Sequence, residues 1–375
     1  MANVLDYVLT RGDLSFKTRP FNEVDNIVFS LLSYYNFDGI ISADYKKPYT
    51  TLAAAVEMMA ERHTENQCFS EHFPDTYAQD SRLIRALAYS ERFRNIRIAA
   101  YVNKIDKEQQ VQFSAMTIFP KKERPCIAFR GTDSSLVGWK EDFNLALDAA
   151  VPAQNEAVNY LENAAKHFWG SFYVCGHSKG GNLAIYSASC CKPKTQKRIK
   201  AIYSNDGPGF KASFLSNAGY KNIKSKIHSF IPQGSIIGLL FEHDYDSIVV
   251  ASKAAGLRQH SLWTWEVLSD SFIREPAIDE KSASLNRSIM AWINGMDNTQ
   301  REQLIEGLYT ILQETEIQSV SQFLDHRFSN TRRIFTSFWN ADKETKQMLV
   351  KSFTALFALI GKAKLSSTMS EQEFP

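Results

Sequence analysis

The run Tyr173-Val174-Cys175-Gly176-His177-Ser178-Lys179-Gly180-Gly181-Asn182-Leu183-Ala184 constrains this chain more than any other stretch. It holds G-x-S-x-G between an apolar segment that reads as a strand and a segment that reads as a helix. That is the setting of a nucleophile elbow, a sharp strand-to-helix turn that lifts a serine hydroxyl clear of the backbone. Gly176 and Gly180 flank the turned residue, where neighbouring backbone must pass without meeting a Cβ. The turn also puts Ser178 at a helix N-terminus, where free N–H groups favour developing negative charge. The feature needs a strand before Ser178 and a helix after it.

The rest of the sequence fits that need. Residues 1 to about 95 read as helical, with an apolar stripe at Val24, Ile27, Val28, Leu31 and Leu32. Short β-rich runs begin near Ile96 and recur at 111–119, 126–130, 171–175, 199–204, 227–231 and 247–250, with helices predicted at 152–168 and from the elbow to about 190. Strands alternating with helices imply βαβ units and a sheet that is parallel in its centre. After about 275 the pattern is helical again, and the last helix (345–362) reads as a docking face rather than a membrane anchor.

Composition excludes several classes. The 375 residues are 44% hydrophobic, enough for a large core, and carry a net charge of +2. No basic stripe with interleaved aromatics points to nucleic acid. No run of about 18 apolar residues would span a bilayer, and the first residues lack a signal-peptide pattern. The five cysteines show no C-x-x-C spacing. They read as reduced thiols of a cytoplasmic protein without a zinc site, and no metal or organic cofactor is expected.

A serine hydroxyl becomes a nucleophile only when a base takes its proton, and the base is normally oriented by an acid. Downstream of Ser178 stand His228, His243, His260 and His326. His260, in the loop Gly256-Leu257-Arg258-Gln259-His260, is the first choice; His243 is second, His228 reads as structural and His326 as a surface residue. Asp206, just after a predicted strand, is the preferred acid, because catalytic groups of open α/β sheets collect at strand carboxyl ends. Glu242, Asp244 and Asp246 compete with it. The oxyanion needs two donors. The Lys179 backbone N–H is one, and Phe129-Arg130-Gly131-Thr132-Asp133 supplies the other through Thr132, with Asp142 pairing with Arg130 to fix the loop.

Ile127 to Thr132 followed by Trp139 and Asp142, together with Gly176-His177-Ser178-x-Gly180-Gly181, resembles the class 3 (fungal-type) lipases. More closely, the chain resembles a bacterial family of α/β-hydrolase-like proteins, domain of unknown function 2974, over roughly residues 1–270. The resemblance implies an α/β-hydrolase fold and a serine-hydrolase site at Ser178, Thr132 and His260. The expected organisation is an N-terminal helical extension (1–95), an α/β-hydrolase core (96–275) and a C-terminal helical region (276–375). The expected activity is hydrolysis of a small-molecule or lipid carboxylic ester. The alternative is a catalytically silent binding or scaffold protein, with the oligomeric state left open. Aromatic loops at 68–80 and 263–272 are candidates for a lid.

Two departures from the lipase pattern stand out. The segment Ile231-Pro232-Gln233-Gly234-Ser235-Ile236-Ile237, where class 3 lipases carry their acid, has no carboxylate. Lys179 occupies a position that lipases usually fill with an apolar residue, and a cation is unfavourable at a helix N-terminus. It is expected either to pair with a carboxylate such as Asp133 or Asp206, or to recognise an anionic substrate.

Overall fold

The computed structural model describes residues 2–62, 77–106, 108–133, 136–145, 150–314 and 336–372. Its centre is an eight-stranded sheet in sequential order: β1 (Thr50–Thr51), β2 (Arg97–Asp106), β3 (Val111–Phe119), β4 (Cys126–Phe129), β5 (Phe172–His177), β6 (Ile199–Asn205), β7 (Ile227–Pro232) and β8 (Ser247–Val250). The first four pair antiparallel and β4 to β8 pair parallel. Every residue of β5 is buried, as a central parallel strand requires.

Parallel strands that step in one direction through crossovers of one hand place their connecting helices on one face. Here α6 (Pro152–Ala164), α7 (Lys179–Cys190) and α10 (Ala218–Ile223) pack together on the side chains of Ile127, Phe129, Phe172, Val174 and Ile202. The short helices α8 (Pro193–Gln196) and α9 (Ala212–Leu215) complete these connections, while α5 (Leu136–Asn144) follows β4. The opposite face, bearing Cys126, Ala128, Tyr173, Cys175 and Phe230, is covered by N-terminal helices. These are α1 (Val4–Arg11), α2 (Glu23–Leu32), α3 (Leu52–Arg62) and α4 (Tyr77–Tyr89). The two faces alternate residue by residue along each strand, as the pleat dictates.

In α2, Asn22 caps the helix in a reciprocal capping box with Asp25, and all residues from Val24 to Leu32 are buried. Asp25 also receives the Arg92 guanidinium and the Tyr7 hydroxyl, while Arg92 donates to the carbonyls of Leu14, Arg19 and Pro20. This buried ion pair, with its lone pairs and protons taken up, ties α2 to α1 and to the segment that follows α4.

At the other terminus, α11 (Glu280–Asn294), α12 (Asn298–Glu314) and α13 (Lys343–Gln372) share a small apolar cluster around Leu304, Ile311 and Leu349. Lys140 of α5 ties this layer down, pairing with Glu306 at 2.6 Å and lying over the Tyr309 ring. No helix is long and apolar enough to cross a membrane among the described residues. The arrangement, a mostly parallel sheet flanked by helices with a strand–serine–helix turn at its centre, is an α/β-hydrolase fold.

One expectation is overturned in the segment 263–272. Trp263 and Trp265 are 3% and 1% exposed, and Trp265 Nε1 donates to the Gln259 carbonyl at 2.9 Å. These rings are core, so this loop is not a lid. The other lid segment, 68–80, falls mainly outside the described residues, and its last part, from Tyr77, belongs to α4.

Candidate active site

Five strand ends converge here, because the parallel strands β4 to β8 all finish on the same side. Ser178 follows β5 with φ 57° and ψ −131°, a conformation costly for a residue with a Cβ, on the order of 1–3 kcal/mol. Its N–H donates to Asn205 O at 2.9 Å, which clamps the turn to β6. A serine at a helix N-cap normally turns its hydroxyl onto the first-turn amides, but Ser178 makes no such bond. Its Oγ is left available. The glycines are there for close approach: a Cβ on Gly176 would lie 2.2 Å from Gly180, and one on Gly180 would lie 2.3 Å from the Phe129 carbonyl.

Asp206 follows β6, is fully buried and also has positive φ, 50°. Its Oδ2 is 2.6 Å from His260 Nδ1. Its Oδ1 accepts from Ser235 Oγ at 2.5 Å and from Gly238 N–H at 3.2 Å. The segment after β7 that lacks a carboxylate therefore supplies two donors to Asp206. Glu242, Asp244 and Asp246 are exposed, and Asp244 is bound to Lys224 and Tyr220.

His260 is delivered by a pinned loop. Gln259 accepts from Gly234 N–H through its side chain at 2.9 Å and from Trp265 through its carbonyl. The His260 carbonyl lies 2.8 Å from His177 Nε2, and the two imidazole centroids are 4.5 Å apart. The candidate base thus rests against the residue preceding the candidate nucleophile. No hydrogen bond joins Ser178 Oγ to His260 among the described residues; nucleophile–base bonds are commonly long until substrate is present. The other histidines are engaged elsewhere. His243 Nε2 lies 2.5 Å from the Gly238 carbonyl, His228 stacks on Tyr203, and burial lowers the pKa of both. His326 lies outside the described residues.

The loop after β4 presents Thr132 beside the elbow: a Cβ on Gly131 would meet Ser178 Cβ at 3.1 Å and the His177 carbonyl at 2.5 Å. Thr132 Oγ1 donates to Asp142 Oδ2 at 2.6 Å, so its hydroxyl is committed and its backbone N–H is the group left for an oxyanion. The expected Arg130–Asp142 pair does not form. Arg130 instead bonds Asp133, three residues on in the same loop, at 3.2 Å and Asn103 at 3.0 Å, while Asp142 is taken by Thr132. Burial pushes the Asp142 carboxyl up to about 6, and its Oδ1 has no partner among the described residues.

Lys179 departs from both expectations. Its side chain is 1% exposed and runs into the interior behind the Thr132 loop. There Nζ donates to Glu141 at 2.8 Å and to the carbonyl and side-chain oxygens of Gln112 at 3.0 and 2.5 Å. Neither Asp133 nor Asp206 is its partner, and no part of its charge faces an incoming substrate. Glu141 also accepts from Ala153 N–H at 2.8 Å, so this ion pair joins the elbow helix to β3, α5 and α6. The Lys179 backbone N–H stays at the head of α7.

A polar stripe on α2, continued into the turn after it, completes the site. Asn26, Ser30 and Tyr34 recur every fourth residue and reach through the apolar layer. Asn26 and Ser30 hold the Asn205 side chain, which also donates to the Gly176 carbonyl at 3.0 Å. Tyr34 Oη lies 2.9 Å from His177 Nδ1 and accepts from Gly131 N–H. With the proton on His177 Nε2, one chain of bonds links the Thr132 loop, Tyr34, His177 and the His260 loop. The i, i+4, i+8 spacing of polar residues along an apolar helix and the turn after it was the sequence signal for it.

The Mbeg1-like family matches residues 87–310. The chain belongs to the Mbeg1-like family. The Mbeg1-like match contains Thr132, Ser178, Asp206 and His260, whereas α2 and its stripe precede it. Among solved structures, a crystal structure of M37 lipase is similar at 15% identity, over 57% of this chain and 68% of that one, with a TM-score of 0.36. No curated protein matches. Among the described residues, no group of three or more His, Cys, Asp or Glu side chains is placed to hold a metal ion.

Proposed function

We propose that this chain is a serine hydrolase that cleaves carboxylic esters. The observation that carries the reading is the Asp206–His260 contact of 2.6 Å, made by a fully buried carboxylate that two further donors hold in place. An aspartate on Nδ1 fixes the tautomer that leaves Nε2 free to take a proton, and it stabilises the imidazolium that follows. In the proposed reaction Ser178 Oγ attacks the acyl carbon as its proton passes to His260. The backbone N–H groups of Thr132 and Lys179 hold the oxyanion. The imidazolium then protonates the leaving alcohol, and water, activated by the same histidine, releases the acid. Membership of a lipase-like family and the resemblance to class 3 lipases support an ester as the substrate. We place the protein in the cytoplasm on its reduced cysteines; those among the described residues are all free thiols. The silent-scaffold alternative drew its force from the missing carboxylate at 232–237; in our reading Asp206 takes that role, and its contact with His260 supports it.

The test is labelling by a fluorophosphonate probe. Wild type is expected to label, with labelling abolished in Ser178→Ala and His260→Ala and reduced on the order of ten-thousandfold in rate in Asp206→Asn. A folded wild type that does not label would refute the reading.

A further inference from the structure

The end of the sheet opposite the candidate site, where the parallel strands begin, has a chemistry of its own. Between Lys192 and Lys226 the sequence carries nine lysines and arginines and a single acid, Asp206. That acid is buried at the far end against His260. In a chain of net charge +2 this is a marked concentration of one sign.

The loops that enter β4, β5, β6 and β7 are knitted into one surface. Arg198 donates to the carbonyls of Ala165, Phe168 and Gly170, Lys226 to the Gln196 carbonyl, and Arg124 to Ser171. Other cations of the same loops are spare. Lys121, Lys122, Lys194, Lys197, Lys200 and Lys221 are exposed and form no ion pair among the described residues. The acids nearby are occupied: Glu123 bonds Arg124, Glu162 accepts from Lys192 N–H, and Asp244 holds Lys224. In the middle of this surface Trp169 is 97% exposed.

We propose that this end of the molecule docks on an anionic lipid bilayer. Lysines near such a surface each add to binding through the negative potential of its headgroups, and an exposed indole seats at the boundary between headgroups and acyl chains. The free cations are lysines, which act as point charges. Of the arginines, whose planar fork suits bases and phosphodiesters, Arg198 and Arg124 are already engaged with protein oxygens. One exposed aromatic, rather than a series, also favours a bilayer over a stacked nucleic-acid strand. Docked this way, Ser178 faces the water, so the surface holds the protein without feeding its candidate site from the same bilayer. The proposal is independent of the hydrolase reading.

The experiment is co-sedimentation of the full chain with phosphatidylcholine vesicles containing or lacking roughly 30% phosphatidylserine at about 0.1 M salt. Binding is expected only to the anionic vesicles and should weaken as salt screens the charges. The variant Lys194→Gln/Lys197→Gln/Lys200→Gln should lose on the order of a hundredfold in affinity, about fivefold per lysine, with unchanged melting temperature. Trp169→Ala should weaken binding with no change in its salt dependence. The control Lys281→Gln/Lys343→Gln/Lys351→Gln, on the C-terminal helices, should bind like wild type. Equal binding to neutral vesicles, or equal loss in the control, would overturn the proposal. So would lysine-dependent binding of single-stranded RNA without vesicle binding.

Discussion

Lys179→Met separates a structural role for this lysine from a role in substrate recognition. Lys179 and Glu141 are 1% and 0% exposed, and the ammonium satisfies three acceptors. Removing it leaves a buried carboxylate with only the N–H groups of Ala153 and Gln112, and leaves both Gln112 oxygens without this donor. Breaking a buried pair from one side costs about 3–5 kcal/mol. At roughly 2–4 °C per kcal/mol for a sizeable domain, the melting temperature should fall by about 10 °C. Glu141→Gln strands the cation instead and should cost a similar amount. The double variant should lose less than the sum of the two, with a coupling of about 2 kcal/mol. Urea unfolding gives the energies. Matched neutral and anionic p-nitrophenyl esters give the kinetics, and the KM ratio between them should not change in Lys179→Met. A variant within about 1 kcal/mol of wild type, with KM raised for the anionic ester alone, would refute the structural assignment.

Ser178→Gly should be more stable than Ser178→Ala by about 1 kcal/mol in denaturant unfolding, since glycine takes φ 57° without strain while both variants lack the hydroxyl. The Asp142 carboxyl, raised by burial from 3.8 to about 6, holds a proton in the folded state that the unfolded chain has shed between those values. Its stabilising contribution is full below about pH 4 and is lost as pH rises through about 6. Urea titrations should therefore show wild type losing stability relative to Asp142→Asn across that window, and parallel profiles would count against it. Tyr34→Phe strips the partner from Gly131 N–H and His177 Nδ1, and should destabilise the fold by about 1–3 kcal/mol. It should also slow fluorophosphonate labelling, and an unchanged labelling rate would mean that the two loops are held without Tyr34.

Much of the architecture was readable because strand runs such as Cys126–Phe129 and Phe172–His177 are apolar on both faces and are bounded by charged turns. The elbow was readable because its geometry demands glycine at fixed positions. Asp206 and His260 could be named one by one, since each follows a strand, but their 2.6 Å contact could not. Residues 54 apart meet only once the sheet order is known. The partner of Lys179 was misread for the same reason: Glu141 reaches the lysine from α5, while Asp133 and Asp206 are taken by Arg130 and His260. Ser235 and Gly238 escaped notice because a hydroxyl and a backbone N–H leave no charge pattern to find. Tyr34 was hidden just past the end of a helix whose apolar stripe drew attention away from it.

The sequential strand order has a practical consequence for anyone dividing this chain. A piece cut to the family match, 87–310, would contain every residue proposed for the chemistry. It would nevertheless strip the helical cover from one side of the parallel sheet at Ala128, Tyr173 and Cys175, while Phe230 kept its contact with Phe272. It would also release the Asn205 and His177 side chains from their anchors at Asn26, Ser30 and Tyr34. Such a fragment should precipitate on expression, and co-expressing residues 1–86 as a separate polypeptide should rescue it.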